Sequence, residues 1–418
     1  ITPDSLDREL SGLKTWVAEE KDPVYKAILN HLLGYYTFGT GKRDEAAIDA
    51  AIAYFRLSLQ DKDILSRKSA ADYRPMTVSK ELSGKYCGDN MYQLLARQAI
   101  SRLSGYFIVN PVLAGKIQTE ILSIYDGLID FYQQQGMTDA RLLLMLDKLN
   151  YQGNDISRGG VNENLRLTDE QVITFLKQWA EEFSVSPLCG EVYCQLAERY
   201  DRMQDYTAKL HAAQTGLKKY PQSPSANDLK EQAAEVLTPR LMVEIPFAYP
   251  AREVDLKVKY RNLTGLTVEL YRMNLPVTSN ILKEEITAST VSRYGKLVGT
   301  RHYQLAATPD YMETDTLLRY KFPTEGIYIL KSIPDGHRKY TAYGKAYASS
   351  LQAIFLGLPG GKQEINIIDR LTGHPVAGTE VAYYRVSQGE GYRLVKAYPA
   401  DSKGTVTLTP PDERNWLG

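Results

Sequence analysis

Cys189-Gly190-Glu191-Val192 is the segment of the chain with the most reactive potential. A Cys followed three residues later by Gln can close an internal thioester, because the thiol acylates onto the side-chain amide. Here the fourth position is Val192, which has no amide to react. The segment also opens a run of helical spacing, so packing is the preferred reading, with Cys189 and Cys194 as small apolar side chains. Positions five apart on a helix point away from each other, which argues against a disulfide between these two. Three Cys are too few for a disulfide scaffold or a zinc site, and Cys87 stands alone. Gly39-Thr40-Gly41-Lys42 has the glycines and lysine of a phosphate cradle. That pattern needs Gly where Tyr36 stands, Ser or Thr where Arg43 stands, and a preceding strand. A turn after a helix is the better reading. His31, His211, His302, His337 and His374 form no pair at metal-ligand spacing, and none begins a triad signature. Glu181-Glu182 and Glu284-Glu285 read as solvated faces. Arg261 and Arg272 flank a strand pair, and Tyr343, Tyr347, Tyr383, Tyr384 and Tyr392 crowd later strands. Sheet packing is preferred for them over an adhesive surface. Nucleophile, base and oxyanion donors do not assemble. The expectation is no catalytic, cofactor-binding or metal-ligating residue.

The elements that carry these residues follow two periods. The chain has 418 residues, enough for two to four domains. Lys+Arg and Asp+Glu are both 50, and a neutral balance argues against a nucleic-acid or anionic-membrane binder. Residues 1–240 carry 28 basic and 32 acidic residues, and residues 241–418 carry 22 and 18, a split too mild to name a ligand. No apolar run is long enough to span a bilayer. The chain starts at Ile1 rather than Met. The expectation is a processed form or fragment, in which a missing signal peptide says nothing about export.

The first part has helical spacing. Tyr25, Ile28, Leu29, Leu32, Leu33 and Tyr36 share a face, as do Ile48, Ile52, Phe55 and Leu59. Ile121, Ile124, Tyr125, Leu128 and Tyr132 form another stripe, and Leu142, Met145, Leu146 and Leu149 the next. Thr168 and Gln171 fit a capping box ahead of Val172, Phe175, Leu176, Trp179 and Phe183. Residues 188–221 resemble a tetratricopeptide repeat through Leu196, Ala197, Tyr200 and the closing Pro221, although Lys209 stands where Ala is usual. The expectation is an α-helical hairpin solenoid, tetratricopeptide-like, over 1–237, because single helix pairs must stack to bury their apolar faces.

From about Leu241 the period becomes two. Val254, Leu256, Val258 and Tyr260 alternate with charged residues; Leu266, Val268 and Leu270 alternate again after the Asn262–Gly265 turn. Alternation of this kind marks antiparallel strands with one buried face. Residues 317–322, 327–333, 340–347, 351–358, 364–369, 381–386, 392–398 and 406–408 add strands. This spells antiparallel β-sandwich domains over 238–349 and 350–418, the second thin for a sandwich, or incomplete, at about five strands.

The β half also carries a family signal. Val258-Lys-Tyr-Arg-Asn262, Leu266-Thr-Val-Glu-Leu-Tyr-Arg272 and Gly326-Ile-Tyr-Ile-Leu330 resemble a macroglobulin-type domain of the alpha-2-macroglobulin family. Glu364-Ile-Asn-Ile-Ile-Asp-Arg-Leu-Thr-Gly373, Pro375-Val-Ala-Gly-Thr-Glu-Val381 and Asp401-Ser-Lys-Gly-Thr-Val-Thr-Leu408 resemble the next one. The carboxypeptidase-regulatory-like domain is the nearest rival. Helices ahead of such domains are similar in arrangement to bacterial alpha-2-macroglobulin-like proteins. The resemblance implies a non-enzymatic N-terminal scaffold and docking fragment of a large protease-trapping endopeptidase inhibitor. It implies a periplasmic or envelope location, with protein partners such as proteases, no nucleic acid, no small-molecule substrate, and a membrane link only through an anchor outside this fragment. The bait region and any thioester would lie beyond Gly418. The alternative is a cell-surface or periplasmic interaction module, an adhesin or envelope assembly factor. A glycan-directed enzyme with a site between helices and sheet is a third reading.

Overall fold

The computed structural model describes residues 3–39, 44–73, 89–105, 110–153, 165–245, 247–275, 286–387 and 391–408. It divides into two compact units, Ile1–Val236 and Leu237–Gly418.

The first unit is helical: α1 (Pro3–Glu19), α2 (Pro23–Gly39), α3 (Glu45–Leu59), the single turn α4 (Lys62–Leu65), α5 (Met91–Ser104), α6 (Pro111–Gln134), α7 (Thr138–Gly153), α8 (Asp169–Glu182), α9 (Cys189–Arg202), α10 (Tyr206–Lys219) and α11 (Ala226–Leu237). Side-chain caps set several starts. Asp44, Asn90, Asn110 and Asp205 each accept from a backbone N–H of the first turn. Pro111 follows Asn110 at the first helical position, where its missing N–H costs nothing. Thr168 and Gln171 form the expected reciprocal capping box.

The buried faces largely follow the spacing, with two differences. In α2 the core is Val24, Ala27, Ile28, Leu33 and Phe38, whereas Tyr25 and Tyr36 are exposed. Gly34 of α2 sits against the Phe55 ring of α3, where a Cβ would lie 3.0 Å from the ring. In α8, Val172, Leu176 and Trp179 are buried but Phe175 faces outward.

Two buried cations tie consecutive helices together. Arg199 of α9 donates to the Gly153 carbonyl at the end of α7 (3.0 Å), to Asp169 at the start of α8 (3.0 Å) and to Asn150 (3.3 Å). A cation at a helix C-terminus also meets the negative end of its dipole. Lys209 of α10 bridges Asp201 of α9 (2.7 Å) and Glu235 of α11 (2.8 Å). Burial opposes its charge, but the hydrogen bonds to Asp201 and Glu235 hold its pKa above the usual value. Lys209, where the sequence resemblance expects Ala, threads its stem through the packing to two carboxylates.

The second unit contains two β modules. In the first, β1 (Arg240–Glu244), β2 (Glu253–Arg261) and β5 (Thr314–Lys321) form one antiparallel sheet in the order β1-β2-β5. The other sheet, of β3 (Gly265–Met273), β4 (Gly295–Gln304), β6 (Gly326–Pro334) and β7 (Ala342–Ala348), has the order β4-β3-β6-β7. Alternation aims Leu256, Val258 and Tyr260 of β2 and Leu318 and Tyr320 of β5 at Val268, Leu270, Tyr328 and Leu330 of the other sheet, in one apolar cluster. Ile329 points to the opposite face, where it packs with Val291 of α12 (Ala288–Tyr294). This two-sided burial makes the Ile-Tyr-Ile-Leu run of β6 continuously apolar. Neither β4 nor α12 is marked in the sequence. β4 is largely exposed on both faces, so it lacks an apolar alternation, and α12 uses Thr290 in place of Glu or Gln to close its cap on Thr287.

The second module contains β8 (Leu351–Gly357), β9 (Gln363–Asp369) and β12 (Thr405–Leu408) in the order β12-β9-β8, and a hairpin of β10 (Glu380–Ser387) and β11 (Gly391–Pro399). Its core is small: Ile365, Ile367, Ala400, Val406 and Leu408. Gly404 has φ 71°, and a Cβ there would lie 2.5 Å from the Ile367 carbonyl oxygen, so the turn into β12 requires glycine.

Candidate functional site

The structure places the Cys189–Val192 segment in the helical packing. Cys189, Gly190 and Val192 are buried in the first turn of α9, and Cys189 and Cys194 are free thiols. Burial raises the Cys189 thiol pKa, and burial together with Glu198 pushes Cys194 up to about 12. Such thiols are poor nucleophiles at neutral pH. Gly190 has a steric reason: a Cβ there would meet Ser223 Oγ at 2.3 Å and Ser223 Cβ at 2.4 Å. The glycine lets the loop before α11 press against α9.

The remaining residues with chemical potential are dispersed. Gly39 ends α2, while Thr40–Arg43, Cys87 and Glu284-Glu285 lie outside the described residues. His31 is buried edge-on to Phe55 (5.3 Å), and burial lowers its pKa to about 4. His211, His337 and His374 are exposed. Glu182 pairs with Arg141 at 2.8 Å. Arg261 is buried, Arg272 donates to the Glu325 carbonyl (3.3 Å), and Tyr343 packs beside Met273 and Ile329. Tyr383 and Tyr384 are half-buried and Tyr347 is exposed. Sequence spacing missed one pair: His302 Nε2 and Asp335 Oδ2 lie 2.8 Å apart, exposed, beside Gly265. Among the described residues no group of three His, Cys, Asp or Glu could hold a metal ion. No helix of the described residues is long and apolar enough to cross a membrane.

The most concentrated polar constellation is the joint between the two β modules. The chain leaves β7 at Ala348 and starts β8 at Leu351, so Ser349 and Ser350 are the whole connection. Segment 247–249 runs beside it: Ala248 makes a parallel bridge with Ala348, its N–H donates to the Tyr347 carbonyl (3.2 Å) and its carbonyl accepts from Ser349 N–H (3.1 Å). From the second module, Arg370 N–H donates to the Ser350 carbonyl (2.9 Å). The Arg370 guanidinium donates to the Ala248 carbonyl (3.4 Å) and lies 5.0 Å from the Phe247 ring centre. Tyr249 Oη donates to Asp369 Oδ2 (2.9 Å). The Asp369 Oδ1 oxygen meanwhile accepts from the N–H groups of Leu371 (3.0 Å) and Thr372 (2.9 Å), fixing the turn that ends in Gly373. Glu325, on the β5–β6 turn, accepts from the Ser350 N–H (3.1 Å) and hydroxyl.

The electrostatics match this geometry. The Thr372 N–H and the Tyr249 hydroxyl hold the Asp369 carboxyl below the usual range. The hydrogen bonds from Ser350 lower Glu325, and the hydrogen bond to Asp369 raises Tyr249. Its carboxylates, hydroxyls and guanidinium are engaged with one another and with the backbone. Chemically it can fix one module against the next.

In the helical unit an open groove of about 1090 Å³ lies between α3 and α6, lined by Ile52, Leu57, Val112, Arg56 and Lys116. Its cations are paired: Arg56 with Glu120 (2.6 Å), Lys116 with Glu45 (2.6 Å) and Asp49 (3.1 Å).

No protein-family model and no curated protein matches the chain. Among solved structures it is similar to native alpha-2-macroglobulin from Escherichia coli spanning domains MG0-NIE-MG1, at 17% identity and TM-score 0.33, over 41% of this chain and 57% of that one. The chain thus spans little more than half of that structure. It is similar also to the NIE-MG1 fragment of the same protein, at 13% identity and TM-score 0.30, over 41% and 88%. The N-terminal part of the bacterial S-layer protein SbsC is similar at 12% identity and TM-score 0.17, over 95% and 100%.

Proposed function

We propose that the chain is a non-enzymatic scaffold and docking region of an alpha-2-macroglobulin-like protein that traps proteases at the bacterial envelope. In this reading the helices form a tetratricopeptide-like solenoid and the β modules are macroglobulin-type sandwiches held in series. Its partners are proteins, with no nucleic acid and no small-molecule substrate, and its setting is the periplasm or cell surface.

The observation that carries the reading is the placement of the motif segments. Val258–Asn262 closes β2, Leu266–Arg272 spans β3 and Gly326–Leu330 opens β6 of one module. Glu364–Gly373, Pro375–Val381 and Asp401–Leu408 build β9, its turn, the start of β10 and β12 of the next. The two modules follow one another across a two-residue connection braced by Tyr249–Asp369 and Glu325–Ser350. Rigid serial modules suit a protein that must position a trap, and fold alone does not assign it.

The test has two arms. The purified chain is assayed against peptide, ester and glycan substrates, with no turnover expected. The natural protein is mixed with endopeptidases and scored on large and small substrates. Trapping predicts that cleavage of a large protein substrate falls while cleavage of a short peptide persists. Turnover by the chain, or equal loss on both substrates, refutes the proposal.

A further inference from the structure

The joint between the β modules carries an outer surface that the connection itself does not need. Ala248 and Ala348 pair across a parallel bridge, and both are buried in the core of the first module. Successive residues of an extended chain alternate between faces. Phe247 and Tyr347, one position earlier on each segment, therefore project together from the opposite side. Both are exposed, Phe247 at 73% and Tyr347 at 42%. A lone exposed apolar side chain is ordinary, but here two aromatics stand side by side.

Two arginines frame them. The Arg370 guanidinium, from the second module, lies 5.0 Å from the Phe247 ring centre and donates to the carbonyls of Ala248 (3.4 Å) and Ser349 (3.5 Å). Arg252 is exposed, and its guanidinium lies 5.4 Å from the ring centre of the half-buried Tyr249. Its backbone N–H donates to the Tyr249 carbonyl (3.3 Å), which fixes the turn that presents it. Among the described residues neither guanidinium forms an ion pair. The two carboxylates of the joint are engaged elsewhere: Asp369 with Tyr249 and its own turn, Glu325 with Ser350. An aromatic face and two carbonyls thus give Arg370 a position without cancelling its charge.

Aromatic residues and arginine are the composition of interface cores. A guanidinium that is already held in place loses little entropy when it meets an anion, and its planar fork matches a carboxylate. The uncancelled charge is positive and the rings are apolar, so the complement is acidic and apolar at once. We propose that this face of the joint is a docking surface for an acidic segment of a partner protein. The segment places carboxylates against Arg252 and Arg370 and an apolar side chain against Phe247 and Tyr347. Arg370 comes from one module and the other residues from its neighbour, so the surface exists only while the joint is closed. It gives the docking role proposed above a place, and rests on that reading only in taking the partner to be a protein.

The test is selection of a phage-displayed random heptapeptide library on the purified 418-residue chain, followed by fluorescence anisotropy of the most enriched peptide. The enriched sequences are expected to carry Asp or Glu on both sides of an aromatic or aliphatic residue. Phe247→Ala and Arg252→Gln should each weaken that peptide at least about fivefold. Salt at about 0.5 M should weaken it as well. Arg370→Lys should restore only part of what Arg370→Gln removes, because Lys cannot pair bidentately. Phe247 and Arg252 are exposed, and unchanged urea midpoints show that their variants fold. The proposal fails if no sequence is enriched, if the enriched sequences are basic or uncharged, or if the acidic peptide binds every variant equally. It fails too if Phe247→Ala and Arg252→Gln abolish sedimentation with phosphatidylglycerol vesicles, which assigns the face to a membrane. Loss of self-association in the same variants by analytical ultracentrifugation assigns it to a second copy and also overturns it. Failure of the selection leaves the protease assays above standing, and failure of those assays leaves the selection standing.

Discussion

Gly190→Ala separates a packing role for the Cys-Gly-Glu segment from a chemical one. The added methyl would lie 2.4 Å from Ser223 Cβ and 2.3 Å from its Oγ. The hydroxyl can rotate away, but the Cβ is fixed to backbone, so α9 or the loop at Ser223 must move. Overpacking of this kind costs about 1–3 kcal/mol. Against it stands the better helix propensity of Ala, worth up to about 1 kcal/mol. The expected net is a loss of about 1–2 kcal/mol. In a Ser223→Gly background the obstruction is gone, and Gly190→Ala should then be neutral or stabilising. The double-mutant cycle should therefore report a coupling of about 2 kcal/mol. Urea unfolding followed by tryptophan fluorescence reads it, because Trp179 is buried in the neighbouring helix α8. If Gly190→Ala raises the urea midpoint in the unaltered chain, or if the two substitutions simply add, the steric account is wrong.

Other outcomes follow from the same physics. Iodoacetamide should leave Cys189 and Cys194 unmodified in the native chain at pH 8 and alkylate both in urea, since burial raises both thiols; mass spectrometry checks this. His31, neutral when folded, has a folded pKa near 4 against 6.5 unfolded, so the unfolded state binds the extra proton. Stability should fall as pH drops from about 6.5 to 4, by about 3 kcal/mol, and His31→Phe should remove that slope in pH-dependent urea midpoints. Lys209→Met keeps the buried stem and should stay within about 1 kcal/mol of the parent, whereas Arg199→Met leaves Asp169 and the Gly153 carbonyl without their donor and should cost about 2–4 kcal/mol. At the module joint, Asp369 and Glu325 have lowered pKa values, so their contribution is present above the unfolded carboxylate pKa and lost as pH falls through the folded one. Acidification below about pH 4 should loosen the joint, read as faster exchange of the Ser350 and Arg370 amides, and Tyr249→Phe with Glu325→Gln should show the same loosening at neutral pH.

Much of the architecture was legible because its signals are periodic. The alternation of Val254 to Tyr260 and of Leu266 to Leu270 yields β2 and β3 directly, and the Thr168–Gln171 cap marks the start of α8. What escaped lacks a period. β4 is exposed on both faces, so nothing in Gly295–Gln304 alternates. The role of Lys209 was invisible, because a lysine in a helix repeat reads as surface unless its two distant carboxylates are known. The joint was hidden for a similar reason. Tyr249 and Asp369 are 120 positions apart, and each reads alone as an ordinary turn residue. The dispersal of the histidines, by contrast, could be read from spacing, since among the described residues only His302 gains a close carboxylate, and from a turn no motif would connect.

The parallel bridge between Ala248 and Ala348 also has a mechanical meaning. A pull on the second β module would load the Ser349–Ala248 and Arg370–Ser350 hydrogen bonds and the Tyr249–Asp369 contact together. Bonds strained side by side share the force and fail at once, whereas bonds strained in sequence peel one by one. The joint should therefore behave as a stiff, brittle clip. Below its threshold it would transmit a tug on the second module to segment 247–249 with little give.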